Sequence, residues 1–347
     1  MKRFKKRLQT LRLHIGKYFI DIDNGKMENL PALPHKVLFL RHDGKIGDYI
    51  VSSFVFREIK KGDPNIQIGV VCSHKNIALF KQNPHIDKFY LVKPKSLSSY
   101  IKTGKAISTE KYDVVIDPTI LLRNKDLILL RSIKAVNYVG YQKSQYKIFN
   151  LNIEGELHFR DVYRIALEKC GFENIDTRYD IPSQTESVVN VGHFLVENHL
   201  DNFVAVNFFG AANSRKFHRE NIQAFLSYVN QHYPHKQFVL LTYPEVTPLL
   251  AELSTQFHNV FLYAQTTSIY DSIELIKKAE WVISPDTAIV HIASGFNKKI
   301  IGLYQDNLEN WINWKPTTEN ECHIIRFKQN INEINSDFLG EIWNSKA

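Results

Sequence analysis

At 347 residues the chain is too long for one small core and suits two domains of ordinary size. Its 44% hydrophobic and 23% charged residues describe a globular protein, and no apolar run nears the roughly 18 residues of a membrane span. The net charge of +8 sits almost wholly in residues 1–20, where Lys2, Arg3, Lys5, Lys6, Arg7, Arg12 and Lys17 meet no acid, leaving +1 for the remainder. The body itself is therefore close to neutral, which argues against nucleic acid as its partner.

In the basic extension, Phe4, Leu8, Leu11, Ile15 and Phe19 recur at three- and four-residue intervals, as one face of a helix would. Arg12, His14 and Lys17 interrupt any signal-peptide core. A basic amphipathic helix can lie on an anionic membrane surface. A solvated arm, or a helix packed on its own domain, fits the same pattern. Cys72, Cys170 and Cys322 are widely spaced and odd in number, as in a reducing compartment without structural disulfides.

Beyond the proline-punctuated Asn29–Pro34, Val37–Leu40 reads as a buried strand and Asp48 to about Lys61 as a helix stopped by Gly62-Asp63-Pro64-Asn65. Ile66–Cys72, Lys88–Val92, Tyr112–Ile116 and Ala135–Tyr141 read as strands. Lys75–Gln82, Leu121–Ser132 and His158–Cys170 read as helices, the last closed by Gly171. Tyr179–Asn202 is the natural join between domains. The pattern then restarts, with strands at 203–208, 237–241, 259–262, 281–283 and 299–304. Helices are expected from about Arg219, over Ser268–Lys278, after Thr287 to about Gly295, and over Ile331–Trp343. Alternating strands and helices predict an α/β protein of parallel sheets wrapped on both faces, arranged as two Rossmann-like halves facing across a cleft.

Three motifs carry candidate chemistry. Gly44-Lys45-Ile46-Gly47-Asp48 follows the first strand; its glycines permit a tight turn, and Asp48 is either a base or a helix cap. It lacks the G-x-G-x-x-G spacing of dinucleotide enzymes. Asn213-Ser214-Arg215-Lys216-Phe217-His218 sits between a strand and a helix, where adjacent cations suit a diphosphate; an exposed basic loop has the same composition. In Ser284-Pro285-Asp286-Thr287-Ala288-Ile289-Val290-His291, Asp286 or Thr287 can cap a helix whose first amides could hold a phosphate. His291, one turn in, either meets ligand or satisfies a core hydrogen bond.

Together these motifs resemble glycosyltransferase family 9, the ADP-heptose:lipopolysaccharide heptosyltransferases, over about residues 36–330. Lys45-Ile46-Gly47-Asp48 is similar to the family's first signature and Arg215-Lys216-Phe217 to its second. Asp286-Thr287-Ala288-Ile289-Val290-His291-Ile292-Ala293 follows the third, Asp-(Ser/Thr)-Gly-x-x-His-(Leu/Ile)-Ala, with one change. Tyr243-Pro244-Glu245 resembles the segment whose acid meets the donor ribose, and Asp117 to Arg123 a segment lining the acceptor side. Three positions depart from the pattern: Ala288 replaces a glycine, Arg215 stands where a phosphate lysine aligns, and Gln305-Asp306-Asn307 replaces Gly-Pro-Thr. They bear on the donor sugar rather than on the fold.

The resemblance implies a GT-B fold: an extension (1–35), an acceptor-binding domain (36–180), an inter-domain region (181–200), a nucleotide-sugar domain (201–330) and a closing helix (331–347). It implies inverting, metal-independent transfer of heptose from ADP-heptose, without a further cofactor, to the inner core of lipopolysaccharide, an acidic glycolipid. The enzyme would be cytoplasmic, peripheral on the inner face of a Gram-negative inner membrane, with residues 1–20 as its contact to anionic lipid. Asp48 would be the catalytic base, with Lys45, Gly47 and Arg123 on the acceptor side. Arg215, Lys216, Glu245, Asp286, Thr287, Ala288 and His291 would hold the donor. A nucleotide-sugar epimerase and a non-enzymatic glycan- or nucleotide-binding module are the competing classes.

Overall fold

The computed structural model describes residues 16–343 of the chain, which divides into two compact units, Met1–Arg178 and Tyr179–Ala347. In the first, β1 (Lys36–Leu40), β2 (Gln67–Cys72), β3 (Lys88–Leu91), β4 (Val114–Asp117), β5 (Asn137–Tyr141) and β6 (Leu151–Ile153) form one sheet, ordered β3-β2-β1-β4-β5-β6. All its pairings are parallel. Helices cover both faces of such a sheet, so its strands are apolar throughout rather than alternating. Val37, Leu38, Phe39 and Leu40 are accordingly all fully buried.

The second unit repeats the plan. Its strands are β7 (Val204–Val206), β8 (Phe238–Leu240), β9 (Val260–Leu262), β10 (Trp281–Pro285), β11 (Lys299–Gln305) and β12 (Cys322–Phe327), ordered β12-β11-β10-β7-β8-β9 and all parallel. Counted from β7 as the first strand, this is the order of the first sheet. Strand order reverses between β1 and β4, and again between β7 and β10. In open α/β sheets ligands bind beyond the carboxyl ends of the strands at such reversals.

Several boundaries differ from the sequence reading. The helix expected from Asp48 to Lys61 is two, Ile46–Ser52 and Phe54–Gly62. At the junction Ser52 Oγ donates to the Asp48 and Tyr49 carbonyls and Ser53 Oγ to that of Ile50, the back-bonding that bends helices. The helix expected from Leu121 begins at Asn124, where Asp126 accepts from the Arg123 N–H at 3.0 Å. Helices at Leu97–Ser108, Thr247–Ser254 and Leu308–Trp314, with strands β6 and β12, were not anticipated. The closing segment is a 3-10 turn, Ile331–Glu333, followed by a helix at Phe338–Trp343. The stretch 181–200, expected between domains, falls within the second unit, where helix Thr185–Glu197 packs on Ile269–Lys278.

Residues 1–15 of the basic extension lie outside the described residues. Residues 16–20 are helical and tied to the first unit, because Arg131 Nη1 donates to the Phe19 carbonyl at 2.8 Å. Ile20 and Ile22 pack on that unit's core, and the Asp21 carboxylate accepts the N–H groups of Lys147 and Ile148. Tyr18 and Phe19 remain 84% and 71% exposed. The end of the extension thus packs on its own unit while Phe19, expected on the apolar face, meets solvent.

Candidate active site

Strand β1 runs directly into a buried cation. Arg41 prolongs the ladder through its N–H to the Val71 carbonyl at 2.8 Å, and its side chain is 2% exposed. Gly44 then turns the chain at φ +76°, a conformation that favours glycine. The first turn of helix Ile46–Ser52 swings Asp48 back over the strand end, where Arg41 Nη2 meets Asp48 Oδ1 at 2.8 Å. Asp43 lies 3.4 Å from the same guanidinium nitrogen, and Lys45 Nζ 3.8 Å from Asp48 Oδ2. Burial alone would lower the Arg41 pKa, yet Asp43, Tyr163 and Asp48 hold it above the usual arginine value. Asp48 is 7% exposed, so its carboxylate is oriented by a fixed charge rather than by water.

Neighbouring strand ends are tied to this turn. Asn76, after β2, donates through Nδ2 to the Arg41 carbonyl at 2.7 Å. His42 Nε2 pairs with Asp126 Oδ1 at 3.0 Å, joining the loop after β1 to the helix after β4. Asp117 closes its own loop by accepting from the N–H and Oγ1 of Thr119 at 3.1 and 2.6 Å. Lys143, fully buried, donates to the carbonyls of Thr119, Ile120 and Tyr141; burial lowers its pKa, while Asp117 and Asp126 oppose that. Gly47 lies in the first turn beside Asp48, and Arg123 is exposed at the start of helix Asn124–Ile133.

In the second unit the corresponding loops meet around Asp286. Arg215 Nη1 donates to both the carbonyl and Oδ2 of Asp286, at 2.8 and 2.7 Å. Arg215 can approach the Phe209–Lys216 bridge only because residue 210 is glycine: a Cβ there would stand 2.7 Å from the Arg215 Cβ and 2.9 Å from its carbonyl oxygen. Asn207, directly after β7, donates to Ser284 Oγ at 3.0 Å and lies 3.4 Å from Thr287 Oγ1. Thr287 caps helix Ala288–Gly295 by accepting from the Ile289 N–H at 3.3 Å. The uncapped amides of that turn and the Arg215 guanidinium, itself paired with Asp286, lie at one strand end, the kind of place where phosphate binds; Lys216 follows Arg215 in the chain.

Around that core, Ala288 is partly exposed at the helix start. His291 is buried, its ring 5.6 Å from Trp314, its Nδ1 without a partner and its pKa lowered by burial to about 4. Neutral at physiological pH, the buried ring brings no charge to the loops around Asp286. Glu245 is exposed after β8, in a loop whose Tyr243 ring packs edge-on to Phe209 at 6.0 Å.

The structure therefore brings Lys45 and Asp48 together in the first unit, and Arg215, Asp286, Thr287 and Ala288 in the second. Lys216 is Arg215's chain neighbour, and Glu245 lies on an adjoining loop. Sequence reading missed Arg41, Asn207 and Asn310, the last donating to Asp286 Oδ2 at 2.8 Å. A charged or amide residue immediately after an apolar run was the available signal for the first two; Asn310 offered none. Among the described residues no group of three or more His, Cys, Asp or Glu side chains is arranged to hold a metal ion, and no helix is long and apolar enough to cross a membrane.

A family model described as glycosyltransferase family 9 (heptosyltransferase) matches residues 100–336. The chain belongs to glycosyltransferase family 9. It is a glycosyltransferase of the GT-B type, and the resemblance carried by the three motifs holds. A curated relative in Escherichia coli (strain K12), provisionally named lipopolysaccharide heptosyltransferase 4, is 22% identical over 322 residues, covering 89% of this chain and 86% of that protein. The crystal structure of a family 9 glycosyltransferase from Veillonella parvula superposes with a TM-score of 0.71 at 15% identity, covering 94% of this chain and all of that one. The E. coli heptosyltransferase WaaC with ADP-2-deoxy-2-fluoro heptose gives 0.66 at 13% identity, covering 90% and 100%.

Proposed function

We propose that this family 9 enzyme transfers a heptose from ADP-heptose to a hydroxyl of the lipopolysaccharide inner core, with inversion and with Asp48 as general base. The observation that carries the reading is the buried Arg41–Asp48 pair at a switch-point loop, which holds the carboxylate against a fixed charge. As the acceptor oxygen bonds to the anomeric carbon, the bond from that carbon to the diphosphate oxygen breaks. Asp48 takes the hydroxyl proton and later returns it to water, and ADP departs with the electron pair. The charge developing on the diphosphate needs fixed donors, the task assigned to Arg215, Lys216 and the amides after Thr287. Asp286 would bind sugar hydroxyls, Glu245 the ribose, and Lys45, Gly47 and Arg123 the acceptor.

The relatives' names support lipopolysaccharide as the acceptor class, and the basic residues 2–17 suit an enzyme that works beside anionic lipid at the inner membrane's cytoplasmic face. The deciding experiment is a transfer assay with ADP-heptose and competing nucleotide sugars on defined core acceptors. Asp48→Ala should lower turnover by about 10²–10⁴-fold while leaving ADP affinity intact. Near-normal turnover in that variant would remove Asp48 from the mechanism. Release of a free epimer without acceptor would move the chain to the epimerase reading. Loss of residues 1–15 should weaken binding to anionic vesicles and spare turnover of a soluble acceptor; unchanged vesicle binding would sink the membrane reading.

A further inference from the structure

Two of the departures from the family pattern, Ala288 and the Gln305-Asp306-Asn307 turn, flank one carboxylate. Asp286 Oδ2 accepts from Arg215 Nη1 at 2.7 Å and from Asn310 Nδ2 at 2.8 Å. Three strand ends thereby converge on a single oxygen: the loop after β7, the turn after β10 and the helix after β11. Two donors on one oxygen fix the rotation of a carboxylate, and with it the directions in which its other lone pairs can meet hydroxyl groups.

Asn310 is itself held in place. Its N–H donates to Asn307 Oδ1 at 3.0 Å, the cap of helix Leu308–Trp314. The Asp306 N–H reaches the Phe327 carbonyl at 2.8 Å on the neighbouring strand. At the helix's far end Tyr304 Oη donates to the Trp314 carbonyl at 3.1 Å, and the Arg326 guanidinium lies 4.8 Å over the Trp311 ring. An amide on so constrained a helix orients its partner at little entropic cost. Arg215 shares the Asp286 Oδ2 oxygen but is also anchored, at 2.8 Å, to the Asp286 carbonyl, a contact that does not pass through Asn310.

The geometry points to Asn310 as a donor-specificity residue: by fixing the Asp286 carboxylate it selects which sugar hydroxyl arrangement the site accepts, with Ala288 bounding the same space. This rests on the nucleotide-sugar reading given above. A site built to hydrogen-bond particular hydroxyls discriminates strongly against sugars that lack them, so loosening the carboxylate costs preference among sugars rather than affinity for the nucleotide.

The test is calorimetric and uses no acceptor. Binding of ADP, ADP-heptose and ADP-glucose is measured on the full chain and on Asn310→Ala and Asn310→Asp. ADP affinity should stay within about twofold, whereas the preferred nucleotide sugar should weaken roughly tenfold, so the ratio between the two sugars narrows. Asn310→Asp, which sets a second carboxylate against Asp286, should lose more. Equal weakening of ADP and both sugars, or an unchanged ratio, overturns the inference, as does a wild-type chain that binds both sugars no better than ADP. Should Asn310→Ala melt early, Asn310→Ser provides the same comparison. Turnover on a core acceptor decides the transfer reading separately, so the two can fail independently.

Discussion

Arg41 and Asp48 form a 2.8 Å ion pair inside the first unit, with the guanidinium almost wholly buried. Water cannot replace a lost partner at such a site, so the pair is worth most when seen from its breakage: removing one member of a buried pair costs about 3–5 kcal/mol. Asp43, at 3.4 Å, compensates only in part. Arg41→Met should therefore destabilise the protein by about 3 kcal/mol, read as a lower urea midpoint at unchanged m-value. It should also depress turnover below what the remaining folded fraction explains, because Asp48 loses its orientation. A variant with wild-type stability would show that Asp48 and Asp43 re-pair elsewhere.

His291 makes stability depend on pH. Its pKa in the folded chain is about 4, pulled down by burial from the ordinary 6.5. The unfolded chain therefore takes up a proton first as pH falls, and the contribution of the neutral ring, complete above about 6.5, is lost progressively down to about 4. At about 1.4 kcal/mol per pKa unit, the loss is on the order of 3 kcal/mol. Unfolding free energy measured from pH 7.5 to 4.5 should fall across that window and fall less in His291→Gln. Parallel pH curves for the two proteins would assign the acid sensitivity to other groups.

The parts legible in the sequence were those where local chemistry and tertiary role agree. Val37–Leu40 and Ile300–Leu303 are unbroken apolar runs because their strands are covered on both faces. Thr287 was readable as one of two candidate caps because capping is a local contact. Helix Leu97–Ser108 was missed because only Tyr100, Gly104 and Ile107 of it are buried, in a run of serines and lysines. Strand β12 was missed because it is a sheet-edge strand whose Cys-His-Ile-Ile-Arg-Phe sequence is mostly half-exposed. Asp48 and Asp286 stood out at strand ends. What orients them did not: Asn310 and Arg215 reach Asp286 across 24 and 71 residues of chain, and no spacing rule connects them.

Lys143 is a second buried cation, held by carbonyls instead of carboxylates. It pins the loop after β4 to the end of β5 through Thr119, Ile120 and Tyr141. Gly140 makes room for it, since a Cβ there would lie 2.7 Å from Lys143 Cγ and 2.6 Å from Phe149 Cδ1. Lys143→Met removes a desolvated charge but strands three carbonyls; the second effect should prevail, costing about 2 kcal/mol. The loss should be local as well as global, so amide exchange should speed up first over residues 119–123. Gly140→Ala should mimic it by crowding, at about 1–3 kcal/mol. Uniform exchange across the first unit would argue that Lys143 serves the core and not the loop.

Arg215 and Lys216 are adjacent but differently engaged, which separates their expected phenotypes. Arg215 is bonded twice to Asp286, itself 7% exposed, so Arg215→Ala leaves a buried carboxylate short of its cation. That variant should lose about 2 kcal/mol of stability as well as affinity for ADP. The Lys216 side chain has no ion-pair partner among the described residues, and its ammonium acts as a point charge that salt can screen. Lys216→Ala should keep the wild-type melting temperature and bind ADP about fivefold more weakly at low salt, a deficit that shrinks as ionic strength rises from 50 to 500 mM. Calorimetry at about those two salt concentrations distinguishes the two roles. If neither substitution weakens ADP binding, the loop after β7 does not hold the diphosphate, and the anion must rest on the amides of helix Ala288–Gly295 alone.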